Sequence, residues 1–469
     1  MSSGYLLRDV EVDGATVDVR IVDRLITAIG PGLDSDGAVV VEGRGRALVP
    51  GLVDPHIHLL ALAAELRSVR CGPPQVRDAD GLRAALAGAE PDRHGWIRGT
   101  GYIERVAGPL NRWKLDELYA TGPLRIQHRS GAMWMLNSAA ALAVGLENAD
   151  LPGVERDGDG RATGRVWRGD SWLREQLPPT DPPALDVVGR TLTRYGITAV
   201  ADATPDLDAG AVSIITAARR DGSLPQEVLL LGAPIEEAGH PGPYKIVIAD
   251  SSLPGIDELV TRIQAAHAAG RPVAVHCVSR EALFLLTAAL DEAGTLAGDR
   301  IEHASVVPEE AIPLLRELGV RVVTQPGFLA DRGDDYLREV EPEDQPGLYR
   351  VASLVAAGVP VALSSDAPYG PLNPWEVIAA AANRRTASGQ RIGAAEAIEP
   401  LAALERYLCP LDDPGGPPRR VAVGAVADLA LLAAPLAEVL GADVDPVRAV
   451  FVAGRRLPTC TSEGMPVTG

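Results

Sequence analysis

One short run of the sequence is apolar at its start and ends in two histidines: Leu52-Val53-Asp54-Pro55-His56-Ile57-His58. In a β-strand, residues i and i+2 point to the same side, so the side chains of His56 and His58 leave one face together. Two imidazoles on one face can bind the same cation. The other interpretation is a histidine pair satisfied by hydrogen bonds at the end of a strand, so a metal site needs support from the rest of the chain.

Short apolar runs followed by helical patterns recur after residue 50. Strands that alternate with helices are typical of a parallel sheet. We identify eight such runs, at residues 52–58, 197–203, 227–232, 244–249, 273–278, 300–304, 320–325 and 359–365. Eight parallel strands predict an α/β fold of the TIM (β/α)8 barrel type.

The spacing of these runs predicts the domains. Residues 1–50 and 420–469 carry short strand patterns, with separate strands at 38–41 and 47–49, and predict a small β domain built from both termini, with the barrel at residues 51–419. The first two barrel strands lie much farther apart than a crossover of about a dozen residues requires. Residues 65–185 are therefore predicted to form an insertion that covers the active-site mouth. Residues 327–348 are predicted to be a long acidic loop.

Composition limits the partners that the protein can have. The 469 residues include 63 acidic and 44 basic side chains, which gives a formal charge of −19. This charge repels nucleic acid and anionic membranes, so we expect a small-molecule substrate and neither of those partners. No signal sequence or long apolar stretch is recognised, so a cytoplasmic location is predicted. Reduced thiols are expected because no C-x-x-C pair occurs among Cys71, Cys277, Cys409 and Cys460.

Side chains at the carboxyl ends of the predicted strands are the candidates for chemistry, because barrels of this type carry their reactive groups there. Four of the eight histidines lie at such ends, together with one lysine and one aspartate: His56, His58, Lys245, His276, His303 and Asp366. Each histidine alone could be structural. Together, on strands whose ends converge, they predict a divalent metal centre with zinc as the expected ion.

Lys245 decides between one metal ion and two. A protonated ammonium cannot bind a cation, but carbon dioxide can convert lysine to a carbamate whose oxygens bridge two ions. A lysine paired with a carboxylate is the other interpretation. Asp366 follows an apolar strand, where a carboxylate can both bind a metal and take a proton from the water that the metal activates.

The chain resembles the amidohydrolase superfamily in residues 49–58, 275–276, 301–304 and 364–368. Within it, the chain is similar to the branch of YtcJ-like proteins and N-substituted formamide deformylases, in residues 96–102, 128–138, 195–198, 244–246 and 324–328. The resemblance implies a metal-dependent barrel with an appended β-sandwich. It implies that the four histidines are metal ligands, that Lys245 is a candidate carboxylated bridge and that Asp366 is both ligand and general base. Arg280 departs from the branch, which usually has aspartate there.

Position along the chain also suggests residues that contact the substrate. The candidates are Tyr102, Trp134, Asn137 and Trp167 in the insertion, and Gln325 and Tyr369 near strand ends. For the tryptophans, packing within the insertion is the other interpretation. His128 is a second catalytic candidate, which would stabilise the developing oxyanion.

These features predict a metal-dependent hydrolase that cleaves a non-peptide carbon–nitrogen bond in a small amide, N-formyl or N-acyl compound. A deaminase, or a hydrolase of cyclic amides or esters, is the alternative on the same metal site, because fold and ligands do not distinguish these reactions. A non-catalytic binding or assembly protein on this scaffold is the alternative from another class. Retention of all the ligand-type residues argues against it. A homodimer is compatible with such a barrel but is not specified by the sequence.

Overall fold

The computed structural model describes residues 4–73, 75–178, 184–235, 242–440 and 446–458. The chain divides into two compact units, a first unit of Met1–Leu59 with Leu185–Gly469 and a second unit of Leu60–Ala184. The segment predicted as an insertion falls largely within the second unit. Its role as a cover for the active-site mouth stays a prediction.

Strands and helices alternate along most of the described chain. The strands are β1 (Tyr5–Val12), β2 (Ala15–Val22), β3 (Leu25–Gly30), β4 (Val39–Pro50), β5 (Leu52–Ile57), β6 (Val69–Arg70), β7 (Ile97–Tyr102), β8 (Leu124–His128), β9 (Met133–Leu136), β10 (Val154–Arg156), β11 (Ala162–Trp167), β12 (Ile197–Asp202), β13 (Glu227–Leu230), β14 (Tyr244–Val247), β15 (Val273–Cys277), β16 (Arg300–His303), β17 (Arg321–Thr324), β18 (Val361–Leu363), β19 (Leu429–Leu432), β20 (Val447–Val452) and β21 (Arg455–Leu457). The helices are α1 (Leu59–Leu66), α2 (Ala79–Ala87), α3 (Glu104–Ala107), α4 (Arg112–Leu118), α5 (Ser138–Ala143), α6 (Asp170–Gln176), α7 (Leu185–Arg194), α8 (Ala209–Asp221), α9 (Ile256–Ala268), α10 (Arg280–Ala293), α11 (Ala311–Leu318), α12 (Gly327–Glu339), α13 (Ala352–Ala356), α14 (Pro374–Asn383), α15 (Pro400–Glu405) and α16 (Leu436–Val439). None of the described helices is long and apolar enough to cross a membrane.

Both ends of the chain contribute to one seven-stranded sheet, in the order β21-β20-β19-β4-β1-β2-β3. Strand β4 is central to it, because it pairs in parallel with β1 and antiparallel with β19. The sequence pattern predicted two short strands where β4 runs unbroken from Val39 to Pro50. Arg44 and Gly45 adopt positive φ angles of 55° and 74° within it, and the register with β1 shifts at this point. A bulge therefore replaces the predicted break.

The eight predicted barrel strands are all present, and each end lies within two residues of the predicted one. They form two parallel sheets, of three strands in the order β13-β12-β5 and of five strands in the order β14-β15-β16-β17-β18. Backbone hydrogen bonds connect the two sheets. The N–H of Lys245 donates to Leu231 O at 3.0 Å, and the N–H of Asp366 donates to His56 O at 2.9 Å. The second bond places the end of β5 beside the residues that follow β18.

These strands are short, and all but β13 and β14 are mostly buried, as parallel strands covered on both faces must be. Every residue of β5, β12 and β16 is buried, including several polar ones. The helices begin close behind the strands, and Ser279 shows how. Its side chain caps α10 by accepting a hydrogen bond from Ala282 N–H at 3.2 Å, so the helix starts directly after β15. Short connections of this kind keep the functional residues at one end of the sheets.

The prediction of a loop at residues 327–348 is wrong, because α12 occupies Gly327–Glu339. Phe328, Leu329 and Gly333 are buried on one side of this helix. The Tyr336 hydroxyl also lies 2.9 Å from the hydroxyl of Tyr349. The acidic residues in this stretch suggested a solvent-exposed loop. The apolar residues, however, recur at helical spacing, and this spacing determines the structure.

The second unit has a sheet and cores of its own. Its six strands are arranged in the order β10-β11-β9-β8-β7-β6, with β6, β7 and β8 parallel and the remaining pairs antiparallel. One core cluster packs Leu82 and Leu115 of the helices against Ile97, Ile126 and Met135 of the sheet. The unit is therefore a folded body and not a long surface loop.

Candidate metal centre

Three side chains meet where β5 and β18 end. The candidate ligand atoms of His56, His58 and Asp366 all lie within 4.8 Å of one another. The Asp366 Oδ1 atom is 3.1 Å from His58 Nε2 and 3.4 Å from His56 Nε2. The two histidines converge because they alternate along β5, as the sequence predicts. Asp366 joins them because its backbone is bonded to β5.

Two further histidines lie against this group. The ring centroids of His56 and His303 are 4.7 Å apart, and those of His276 and His303 are 4.5 Å apart. The Nδ1 atom of His303 is 3.9 Å from Asp366 Oδ2. His56, His58 and His303 thus border one carboxylate, and His276 lies against His303.

The backbone is unusual at two of these positions. His303 and Asp366 adopt positive φ angles of 70° and 54°, a region that residues other than glycine rarely occupy. Such conformations cost about 1–3 kcal/mol each and persist where the surroundings enforce them. Here both residues stand at the junction between a strand and its following loop, where the turn directs the side chain towards the other ligands.

The outer nitrogens of the imidazoles are held by neighbouring groups. The Nδ1 atom of His56 forms a short hydrogen bond to Glu302, whose other oxygen accepts from Arg300 Nε at 2.5 Å. A carboxylate only accepts, so Nδ1 of His56 carries the proton and Nε2 presents its lone pair to Asp366 and the other ligands. His58 Nδ1 lies 3.1 Å from Thr204 Oγ1, and His303 Nδ1 lies 2.9 Å from Gln325 Oε1.

The sequence reasoning missed the role of Glu302, although a signal was available. Arg300 and Glu302 are alternate residues of the buried strand β16, and a buried ion pair on one face of a strand needs a reason. The reason is that Glu302 also accepts a hydrogen bond from His56, which lies on another strand. Asp54 was also missed. Its carboxylate accepts hydrogen bonds from the backbone N–H groups of His56 and Ser365, both at 3.2 Å, and burial raises its pKa to about 7.

Burial keeps three of the four imidazoles neutral. It lowers the pKa of His276 to about 4 and that of His303 to about 3, and it lowers the pKa of His56 well below its ordinary value. The Lys245 charge lowers all three further. For Asp366, burial works against ionisation, but the hydrogen bond with His58 and the neighbouring histidine charges hold the pKa of that carboxyl below its usual range. His56, His276 and His303 are therefore neutral nitrogen donors close to one carboxylate.

Lys245 is buried beside this group without a partner. In the described part of the chain, its Nζ makes no hydrogen bond, and His56 Nε2 also makes none. Burial lowers the pKa of Lys245 to about 8, and the charges of Glu302 and Asp366 oppose that shift. Unpartnered buried nitrogens are costly. The imidazole donors and the carboxylate fit a divalent cation of the zinc type, whereas Lys245 can join them only after it loses its proton.

Gln325 and Tyr369, predicted to contact the substrate, both lie next to the ligands. Gln325 accepts from His303 and donates to Ser364 Oγ at 2.9 Å, so it orients a ligand. The ring of Tyr369 packs edge-on to His58 with centroids 5.3 Å apart and is 37% exposed. Arg280, which departs from the branch pattern, forms an ion pair with Asp344.

The other predicted site residues belong to the second unit. Tyr102 donates to Gly108 O at 2.5 Å, and Trp134 Nε1 donates to Asp170 at 2.8 Å. Asn137 is buried, and its oxygen accepts from the N–H groups of Leu124 and Ala140. That contact caps α5. Trp167 is 46% exposed, and His128 contacts Ser130 at 2.8 Å and Glu104 at 3.2 Å. Their substrate or catalytic roles stay predictions.

The cysteines match the expectation of reduced thiols where the structure describes them. Cys71, Cys277 and Cys409 are buried and free, whereas Cys460 lies outside the described residues. Burial raises the pKa of Cys277 to about 12, so this thiol is not a nucleophile beside His276.

Parallel strands with helical connections, ending in a cluster of imidazoles around a carboxylate, define the class of metal-dependent hydrolases on α/β scaffolds. The model of the amidohydrolase family matches residues 39–458, and the chain belongs to that family. The prediction of an amidohydrolase enzyme is confirmed.

Individual relatives are distant but match most of the chain. The N-substituted formamide deformylase of Arthrobacter pascens is 24% identical over 451 residues, covering 80% of this chain and 81% of the relative. A putative amidohydrolase, YtcJ of Bacillus subtilis, is 21% identical over 428 residues, covering 77% and 79%. The solved structure of an uncharacterized metal-dependent hydrolase from Pyrococcus horikoshii superposes with a TM-score of 0.73 at 18% identity, covering 91% of this chain and 97% of that one.

Proposed function

We propose that this protein hydrolyses the carbon–nitrogen bond of a small N-formyl or N-acyl amine. The reaction takes place at the carboxyl ends of eight strands that close into a (β/α)8 barrel, flanked by a β-sandwich of both termini. The observation that carries the proposal is the convergence of Asp366 with His56 and His58 within 4.8 Å. The name of the Arthrobacter relative, a deformylase of N-substituted formamides, supports an N-formyl substrate.

The four histidines and Asp366 would hold the metal, for which zinc is the best match to the donor set. When bound, the ion supplies Lewis-acid polarisation of the substrate carbonyl and acidifies water. Lys245, buried without a partner in the described residues, is the proposed site of a carbamate that admits a second ion.

Asp366 performs the proton transfers. Because its pKa lies below the usual range, the carboxylate is ionised at neutral pH and accepts the proton of the attacking water. The water oxygen bonds to the carbonyl carbon, the carbon–nitrogen bond breaks, and Asp366 returns the proton to the leaving nitrogen. The products are formate or another carboxylate and an amine.

The chain's own packing keeps Asp366 ready for this role. His58 contacts Oδ1, and the backbone N–H of Asp366 is fixed by His56 O, so the carboxylate cannot turn away. Tyr369 packs on His58 and is partly exposed, so it can orient a substrate from the solvent side. We place this activity in the cytoplasm, on a small molecule, with no nucleic-acid or membrane partner and with a homodimer as the working assembly.

The test is a screen of N-formyl and N-acyl amines, with cyclic amides, esters and amino-substituted rings included. Asp366→Asn should lower kcat on the best substrate by about 100- to 10,000-fold, because general acid–base catalysis contributes about that much. The control is Asp291→Asn, the same change at an exposed position of α10, which should keep the parental rate. Parental turnover by Asp366→Asn would refute the mechanism. Activity confined to amino-substituted rings would favour a deaminase instead.

A further inference from the structure

A second group of charged residues lies on one face of the six-stranded sheet in the second unit. In the parallel pair β7–β8, Arg98 stands directly opposite Arg125. In the antiparallel pair β8–β9, Gln127 stands opposite Trp134. The guanidinium carbons of Arg98 and Arg125 lie 5.3 Å and 5.0 Å from the centre of the Trp134 ring. We call Arg98 and Arg125 the arginine pair.

The two arginines differ in their hydrogen-bond partners. Arg98 donates to Ala64 O at 3.0 Å and to Gln127 Oε1 at 3.3 Å, and it also bonds Ser68. The side chain of Arg125 forms no hydrogen bond or ion pair with any described residue, although its Nε is buried. The guanidinium of Arg125 stacks against the Trp134 ring and is repelled by the charge of Arg98.

Two carboxylates act on Arg125 only from a distance. Asp92 accepts from the N–H groups of His94 and Trp96 at 2.8 and 2.9 Å. Asp170 accepts from Trp134 Nε1 at 2.8 Å. Neither lies within the 4.0 Å of an ion pair with Arg125, so the five donors of this guanidinium stay without an acceptor in the described protein.

Such an arrangement is unfavourable by itself. Like charges directly opposite each other on neighbouring strands are destabilising, and a buried donor without an acceptor loses its hydration. Burial, followed by the charge of Arg98, lowers the pKa of Arg125 to about 10, which leaves it protonated at neutral pH. The positive charge therefore persists, in a chain whose formal charge is −19. An anion between the two guanidinium groups would offset both costs.

We propose that the arginine pair binds a small oxyanion, with a carboxylate as the best match. The planar fork of a guanidinium matches the two oxygens of a carboxylate. Arg125 would make the paired hydrogen bonds, Arg98 would add charge, and Trp134 would fix the plane of both. Both arginines are partly exposed, so an anion from solvent can reach them. This site is independent of the proposed hydrolysis.

The test uses the full-length protein in sodium acetate, in sodium phosphate and in sodium chloride at equal ionic strength, which holds general screening constant. Thermal unfolding and calorimetric titration should show binding of acetate or phosphate that chloride does not reproduce. Arg125→Gln should weaken that binding by at least about tenfold, the loss expected for charge-assisted hydrogen bonds. Arg125→Lys, which keeps the charge without the fork, should bind acetate more weakly than the parent.

The matched control is Arg105→Gln, the same change at an exposed arginine of α3, which should bind as the parent does. Tighter binding of acetate than phosphate identifies a carboxylate ligand, and the reverse order identifies a phosphate. An anion that acted at the metal centre would act equally on Arg125→Gln. Equal binding by that variant and the parent, or no binding beyond chloride, would overturn the proposal. If Arg125→Gln does not fold, acetate binding by Arg125→Lys is compared with that of the parent, and equal binding would overturn the proposal.

Discussion

The metal centre of the first unit and the arginine pair of the second are both clusters of like residues, but their surroundings differ. Around the imidazoles, Glu302, Thr204 and Gln325 contact the outer nitrogens and leave the inner ones directed at each other. Arg125 has no such support among the described residues. The comparison teaches that a metal site is recognised by the groups behind its ligands. An anion site is recognised by buried hydrogen-bond donors for which the described protein supplies no acceptor.

Removing the metal should have the largest effect and should separate the two clusters. We expect a chelator to abolish hydrolysis and to destabilise the protein, by about 4 kcal/mol where the free ion had been at about 1,000 times its Kd. Added zinc should restore both. The response of the arginine pair to acetate should not change. If activity survives complete metal removal, verified by elemental analysis, the metal centre is not catalytic.

Glu302→Gln tests the support behind a ligand. The amide can still contact His56 but carries no charge, and it weakens the pairing with Arg300, so zinc affinity should fall by about 10- to 100-fold. A competition titration with a zinc indicator measures this change. Glu292→Gln on the exposed side of α10 provides the control. Parental affinity in Glu302→Gln would mean that the partner of His56 is not needed.

The pH dependence of metal-free stability should be a gradual effect that is spread over several pH units. The pKa of His276 is lowered to about 4 and that of His303 to about 3, so between about pH 6.5 and these values the unfolded chain binds more protons than the folded one. Stability is therefore fully present above about pH 6.5 and falls as the pH is lowered, by at most about 1.4 kcal/mol per pH unit for each histidine. Denaturant titrations at several pH values measure the slope.

His303→Gln removes one of these groups and should flatten that slope. Arg125→Gln should leave it unchanged, because arginine does not titrate in this range. The raised pKa of Asp54 opposes part of the slope, so the comparison between variant and parent is decisive. An identical slope from pH 7 to pH 4 in His303→Gln and in the parent would contradict the lowered pKa of His303.

Much of the metal centre could be predicted from local patterns. His56 and His58 converge because alternation along a strand is a local property, and the ends of parallel strands share one edge. Helix α12 was missed because its acidic residues concealed an apolar face, and β4 was predicted as two strands where a bulge at Arg44 and Gly45 interrupts the regular pattern. Both features lie within short stretches of sequence, where the spacing of apolar residues carries the signal for a helix or a strand.

The sequence by itself determined the succession of strands and helices, the family and the side chains offered at the strand ends, because all of these depend on short-range periodicity and motif spacing. Only the tertiary structure decided that Glu302 stands behind His56 and that Arg98 stands opposite Arg125. Strand register and the packing of distant segments arise from the whole fold. The role of a buried charged residue can be identified only when its contacts with residues of other strands are known.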